Sequence, residues 1–137
     1  MDDEDQFEKL VEQISGLVGE RRPVAVVGMF VLRALGQPPF ADLPLEDLVT
    51  PESRQNWDDD ELASVLRQHA FYTGVEYLSP QWARVLLPQA EPGEGPHLVD
   101  EPREVMSLAF YLRYDEGLRD WRIHLLGPPN VRVEELP

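Results

Sequence analysis

Between Glu104 and Leu126 the apolar residues change parity. Met106, Leu108, Phe110, Leu112 and Tyr114 hold even positions; Trp121, Ile123 and Leu125 hold odd ones, on either side of Asp115, Glu116 and Gly117. Alternation with a period of two marks a strand with one face buried. Strands of opposite parity bring their apolar sets onto one face when the connection has two or four residues, whereas a plain three-residue loop turns one set outward. The stretch therefore reads as a long β-hairpin, with Gly117 as the residue that takes positive φ in its turn. One face is apolar throughout. The other carries Ser107, Tyr111, Arg113, Asp120, Arg122 and His124.

What precedes the hairpin must supply a cover for its apolar face. Phe7, Leu10, Val11, Ile14, Leu17 and Val18 form a single helical stripe over Asp5 to Val18, which Gly19 ends. Asp2, Asp3, Glu4 and Asp5 stand at the positive end of that helix. Val24 to Leu35 is apolar almost all round, with Pro23 suited to a first helical turn and Gly36 to a stop. A buried strand over Val24 to Val27 is the competing reading; the length and the Gly36 stop favour a helix. A helix with no polar face needs cover on several sides.

Gln37 to Pro44 reads as a loop and Leu45 to Val49 as a short helical turn. Thr50 and Pro51 cap a helix over Glu52 to Trp57, and the Asp58, Asp59, Asp60 run caps another over Glu61 to Gln68. An EF-hand would need spaced oxygen ligands and a terminal glutamate, which this run lacks. From Ala70 to Leu78 the composition is that of a strand with a bulge or kink at Gly74, returning over Trp82 to Leu87 after a Ser79, Pro80 turn. Pro88 to Pro102 is an exposed link with a brief strand at His97, Leu98 and Val99, and Val131 to Glu134 alternates as an edge strand would. Helices first and antiparallel strands after argue for one α+β domain over residues 1–137, with N-terminal helices on the concave face of a curved antiparallel sheet of about four strands.

Charge narrows the partners. The formal net charge of −14 over 137 residues repels phosphate backbones and anionic membranes, so neither nucleic acid nor membrane is expected. The apolar run Pro23 to Leu32 is too short to span a bilayer. No cysteine is present, which removes thiol chemistry. The acidic N-terminus is unlike a signal peptide, and a cytoplasmic location is expected. His69, His97 and His124 lack metal-ligand spacing, so neither metal nor cofactor is assigned.

Two groups of residues stand out. Trp57, Tyr72, Tyr77 and Trp82, with Phe110, Tyr114 and Trp121, are candidates for an aromatic pocket, or else they finish the core. Ser107, Tyr111, Arg113, Asp120, Arg122 and His124 are the polar mixture that a two-fold interface uses. No catalytic residue is assigned. Tyr114, Asp120 and His124 are the nearest to a proton-transfer set.

The run Leu48, Val49, Thr50, Pro51, Glu52, Ser53, Arg54 leading to Trp57, and the ending Trp121, Arg122, Ile123, His124, Leu125, Leu126, Gly127 followed by Val131 to Pro137, resemble small actinobacterial proteins of the nuclear-transport-factor-2-like, or SnoaL-like, superfamily. That resemblance implies a cone-shaped roll over nearly the whole chain. Such scaffolds host isomerases, cyclases and dehydratases as well as non-catalytic binding domains. Enzymes of that kind project Asp, His or Tyr into the cone, a face that is apolar here. A non-catalytic homodimer that binds a protein partner or a small apolar ligand is the expectation, with a SnoaL-like or isomerase-type enzyme as the alternative.

Overall fold

The structure is a computed structural model that describes residues 3–16, 22–38, 40–91 and 96–136, with side chains from residue 8 onward. The chain is α+β. Helices α1 (Asp3–Ser15), α2 (Pro23–Ala34) and α3 (Asp59–Leu66) precede strands β1 (Phe71–Tyr72), β2 (Glu76–Tyr77), β3 (Trp82–Pro88), β4 (Leu98–Val99), β5 (Met106–Asp115) and β6 (Asp120–Gly127). Strands β2, β3, β5 and β6 form one antiparallel sheet in that order, and β1 pairs with β4 in parallel. The expected stop at Gly19, the positions of Leu17 and Val18, and the Phe7 side chain lie outside the described residues. So do the side chains of Asp2 to Asp5.

Helix α2 is the centre of the packing. Pro23 through Leu32 are all buried, because α1, α3, β3 and β6 each cover part of its surface. Its end is built by Gly36, whose φ of 69° lets Gln37 N–H reach Leu32 O at 2.9 Å and Gly36 N–H reach Arg33 O at 3.0 Å. That paired bonding satisfies two of the carbonyls a helix end leaves open. The core joins Leu10, Ile14, Val27 and Phe30 of the helices to Val85, Leu87, Phe110, Leu112 and Ile123 of the sheet. Phe30 meets Phe110 edge-on, with ring centroids 5.6 Å apart.

The hairpin closes through four residues, Glu116 to Arg119, with Asp115 opposite Asp120. Positive φ falls on Arg119 (54°) rather than Gly117, a correction to the sequence reading. The Asp115–Asp120 register makes Arg119 the last loop position, where the chain must turn back into β6, and Asp115 Oδ1 accepts Leu118 N–H at 3.1 Å to hold the first part of the turn.

A second correction concerns Leu125. Leu112 pairs with Ile123 and Tyr111 with Leu125, so β6 carries one extra residue, His124, at a bulge. One inserted residue reverses the faces of everything beyond it. Leu126 therefore joins Phe110 on the helix-facing side, and Leu125 stands with Tyr111 on the opposite side.

Two expected strands differ as well. Ala70 to Leu78 is not one strand: β1 and β2 belong to different sheets and are broken at Thr73, Gly74 and Val75. The Tyr72 ring folds back over Gly74, where a Cβ would lie 2.5 Å from it. Val131 to Glu134 does not pair at an edge. It enters a 3-10 turn, Val133–Glu135, and lies by the outer sheet face, where the Tyr111 hydroxyl donates to Pro128 O and accepts Val131 N–H at 3.0 Å. The β6 edge is taken by Leu48 to Thr50, through a parallel bridge between Val49 and Ile123. Glu52 to Trp57, expected as an α-helix, is part of a 3-10 helix over Pro51–Asn56.

Candidate functional site

Two of the runs singled out in the sequence, residues 48–54 and 121–127, meet in space. Ile123 N–H donates to Leu48 O and Thr50 N–H donates to Ile123 O, both at 2.9 Å, so residues 48–50 extend the sheet past β6. The bulge then presents the extra residue to this segment: His124 Nδ1 lies 2.7 Å from Thr50 Oγ1. Thr50 is 2% and His124 6% exposed. On its other side the imidazole meets Trp82 edge-on, with ring centroids 5.3 Å apart.

Ser53 completes the junction. Its buried hydroxyl donates to Thr50 O at 3.1 Å and accepts the Trp57 indole N–H at 3.0 Å. A buried indole donor requires such a partner, and here the partner fixes the ring against Phe30, 5.1 Å away between centroids.

Charged groups rim this junction. Arg113 Nη2 is 2.7 Å from Glu52 Oε2, Arg122 Nη1 donates to Glu46 O, and Arg54 lies 3.5 Å from Glu46. A backbone hydrogen bond at Glu52 and then the hydrogen bond from the Arg113 guanidinium hold the Glu52 carboxyl below its usual range against desolvation, and the charges of Arg113 and His124 add smaller effects in the same direction. A carboxyl with a lowered folded pKa stabilises the fold above its unfolded value and loses that contribution as pH falls through the folded one. Acid titration of the melting temperature between about pH 3 and pH 7 is expected to show a Glu52-dependent loss confined to the region below 4.5, the carboxyl's ordinary value. The Glu52→Gln variant should lie below the wild type near neutrality and converge with it in acid. A gap that persists unchanged at the acid end would mean that ionisation of the Glu52 carboxyl is not its source.

The polar residues expected at an interface are thus engaged within the chain. Tyr111 is fully buried beside the C-terminal segment, Asp120 and His124 are buried, and Arg113 and Arg122 bind Glu52 and the Glu46 carbonyl. Ser107 Oγ lies 3.2 Å from His69 Nε2, while His69 Nδ1 lies 2.8 Å from Val65 O at the end of α3.

The aromatic candidates fall into separate places. Phe110 is buried in the core and Trp57 packs on the other side of Phe30. Trp82 pairs across to Arg113 on the outer face, and Tyr72 lies over Gly74. Tyr77, Tyr114 and Trp121 do come together, with the Trp121 ring 5.9 Å from Tyr77 and 5.2 Å from Tyr114. They stand on the helix-facing side of the sheet near the hairpin turn, and Tyr77 is 61% exposed. Tyr114 is therefore on the opposite face from His124, and these two do not form a proton-transfer pair.

Among the hollows that the described residues line are four on the surface. One of about 620 Å³ is lined by Arg67, Gln68, Gln89, Glu91, Arg103 and Val105. Another, of about 590 Å³, lies between Arg84 and the Pro129 to Glu134 segment. A third, of about 520 Å³, is walled by Glu46, Asp47, Thr50, Arg54 and Arg122. The fourth is a cleft of about 180 Å³ between Trp57, Leu62, Val65 and Leu126, with Asn56, Asp58 and Glu61 at its rim. Among the described residues no group of three His, Asp or Glu side chains is placed to hold a metal ion. No helix among them is long and apolar enough to cross a membrane.

Sequence reasoning singled out both resemblance runs but not their junction, because a parallel bridge between them leaves no local pattern. It also missed the cleft beside α3. Its only signal was the Asp58 to Glu61 acid run followed by Leu62 and Val65. Compared with known proteins, the chain matches no family model, no curated protein and no solved structure.

Proposed function

We propose that the chain is a non-catalytic binding domain built as the cone-shaped roll of the nuclear-transport-factor-2-like superfamily, a cytoplasmic homodimer whose task is to hold a protein partner. The observation that carries this reading is the filling of the helix-facing sheet surface. Phe30, Phe110, Leu112 and Ile123 are fully buried there, so the place where related scaffolds keep a reaction pocket is occupied by core. A small apolar ligand needs that same interior and is the weaker option. Binding falls to the outside, where Tyr77, Val105 and Leu118 are the large apolar residues most exposed.

Sedimentation equilibrium of the full chain at micromolar concentration tests the assembly, with twice 15.7 kDa expected. A single species of one chain mass would overturn the homodimer. The enzymatic alternative draws on one contact, the hydroxyl of Thr50 against the His124 imidazole at the wall of the groove that Arg54 and Arg122 line. A base beside a hydroxyl is the pattern of an activated nucleophile, but burial of both residues places the pair beneath the surface. Turnover of any small molecule that is lost in His124→Gln would favour the enzyme.

A further inference from the structure

Resting on the reading that the domain binds a protein, we infer that the cleft between α3 and the end of β6 receives one large apolar side chain, carried between lysines or arginines on a basic segment of the partner.

Size is the first argument. At about 180 Å³ the cleft is below the roughly 300–1,000 Å³ of small-molecule sites, and it suits a single anchoring side chain. Its floor is apolar and comes from three different parts of the fold: Trp57, the α3 residues Leu62 and Val65, and Leu126.

Charge is the second. Of the four hollows described above, this is the one lined by carboxylates and no cation. Residues 58–61 read Asp, Asp, Asp, Glu, and Asp59 is drawn away by Arg33 at 3.1 Å. The start of α3 contributes about half a positive charge, which the carboxylates of Asp58, Asp60 and Glu61 outweigh. A net charge of −14 over the whole chain adds attraction for a cationic segment at longer range. An acidic or neutral segment with the same anchor would have to approach against that field.

The third argument is that the walls are held before any partner arrives. Asp58 Oδ1 accepts Asp60 N–H at 3.0 Å and Glu61 N–H at 3.1 Å, which fixes the rim as a helix cap. The Trp57 ring is fixed by Ser53 and Phe30. Leu126 reaches the cleft because the extra residue His124 turns it to that face. Little ordering is left to oppose binding.

Methyl- and amide-resolved NMR of the full chain at low salt tests this, with the blocked pentapeptide lysine-arginine-leucine-arginine-lysine as the probe. Saturable shifts are expected at the Trp57 indole N–H and the Leu62, Val65 and Leu126 methyls, with a dissociation constant in the millimolar range or tighter. Changing the probe's leucine to alanine should weaken binding about tenfold, and so should Glu61→Lys on the exposed rim. Equal binding of the alanine probe, or of an acidic probe with the same leucine, would overturn the proposal, as would no response at the cleft. Shifts confined to Tyr77, Tyr114 and Trp121 would overturn the cleft while leaving the protein-binding reading in place. That reading fails separately, through catalytic turnover that depends on His124.

Discussion

Gly28→Ala is expected to destabilise the protein by about 1–3 kcal/mol, although alanine is the better helix former by about 1 kcal/mol. The reason is the approach of α1. A Cβ at position 28 would lie 2.0 Å from Ile14 Cδ1, 2.6 Å from Cγ1 and 3.3 Å from Cγ2. Ile14 and Gly28 are both buried, and Ile14 belongs to the same core cluster as Leu10 and Val27, which leaves it little space to move into. The test is a double-mutant cycle by urea denaturation. In the wild-type background the added methyl overpacks the contact. In an Ile14→Ala background all three clashing atoms are gone, and the same substitution should be neutral or stabilising by up to about 1 kcal/mol. Ile14→Ala alone should cost about 2–5 kcal/mol. The sign of the Gly28→Ala effect thus reverses between backgrounds. An equal loss in both would place its cause in α2 itself and not at the crossing with α1.

That crossing had no signature in the sequence. Gly28 lies within an all-apolar run, and nothing local indicates which of its neighbours another helix approaches. The run as a whole was legible, because an apolar surface all round the helix requires cover on several sides and Gly36 requires an end. The main hairpin was legible for a similar reason. A change of parity admits only even-numbered tight connections, and four residues are found. The bulge was not. Leu125 and Leu126 are adjacent and both apolar, so alternation cannot say which one faces the helices. The Val131 to Glu134 strand failed on tertiary grounds: its alternation is real, but the Tyr111 hydroxyl holds Val131 N–H by the outer sheet face and the β6 edge is already bonded to residues 48–50.

The candidate site divides along the same line. Its residues could be grouped onto one face from the period of two alone, as His124, Arg122 and Arg113 were. Their partners could not, because Thr50 lies 74 residues from His124 and Glu52 lies 61 from Arg113. Short-range periodicity orders a face, and long-range closure decides whether that face is free. Here closure consumes most of the polar groups on the outer sheet. It creates a new hollow where Trp57 and Leu126 meet α3.

Phe30 links that hollow to the core, and Phe30→Ala is the substitution expected to cost most. Truncating a buried phenylalanine costs about 3–5 kcal/mol, a large part of the roughly 5–15 kcal/mol that holds a domain together. Phe30 is fully buried and meets two rings edge-on, Trp57 at 5.1 Å and Phe110 at 5.6 Å. Each such pair adds about 0.5–1.5 kcal/mol beyond the area buried. The upper half of the range is therefore expected, with a fall in melting temperature of roughly 10 °C or more. Phe30→Leu separates the two contributions, since it refills most of the volume but restores neither ring contact. A loss under about 0.5 kcal/mol in that variant would assign the ring pairs no energy of their own. The walls left by alanine include Trp57 and Phe110, so the space should stay dry and admit benzene, whose binding to the folded state would raise the melting temperature again. Should Trp57 instead swing in to fill the space, benzene will have no effect and the loss will sit near 3 kcal/mol. The Trp57 indole resonance would then leave its position beside Ser53, and the cleft that Trp57 and Leu126 wall would lose its response to the basic probe.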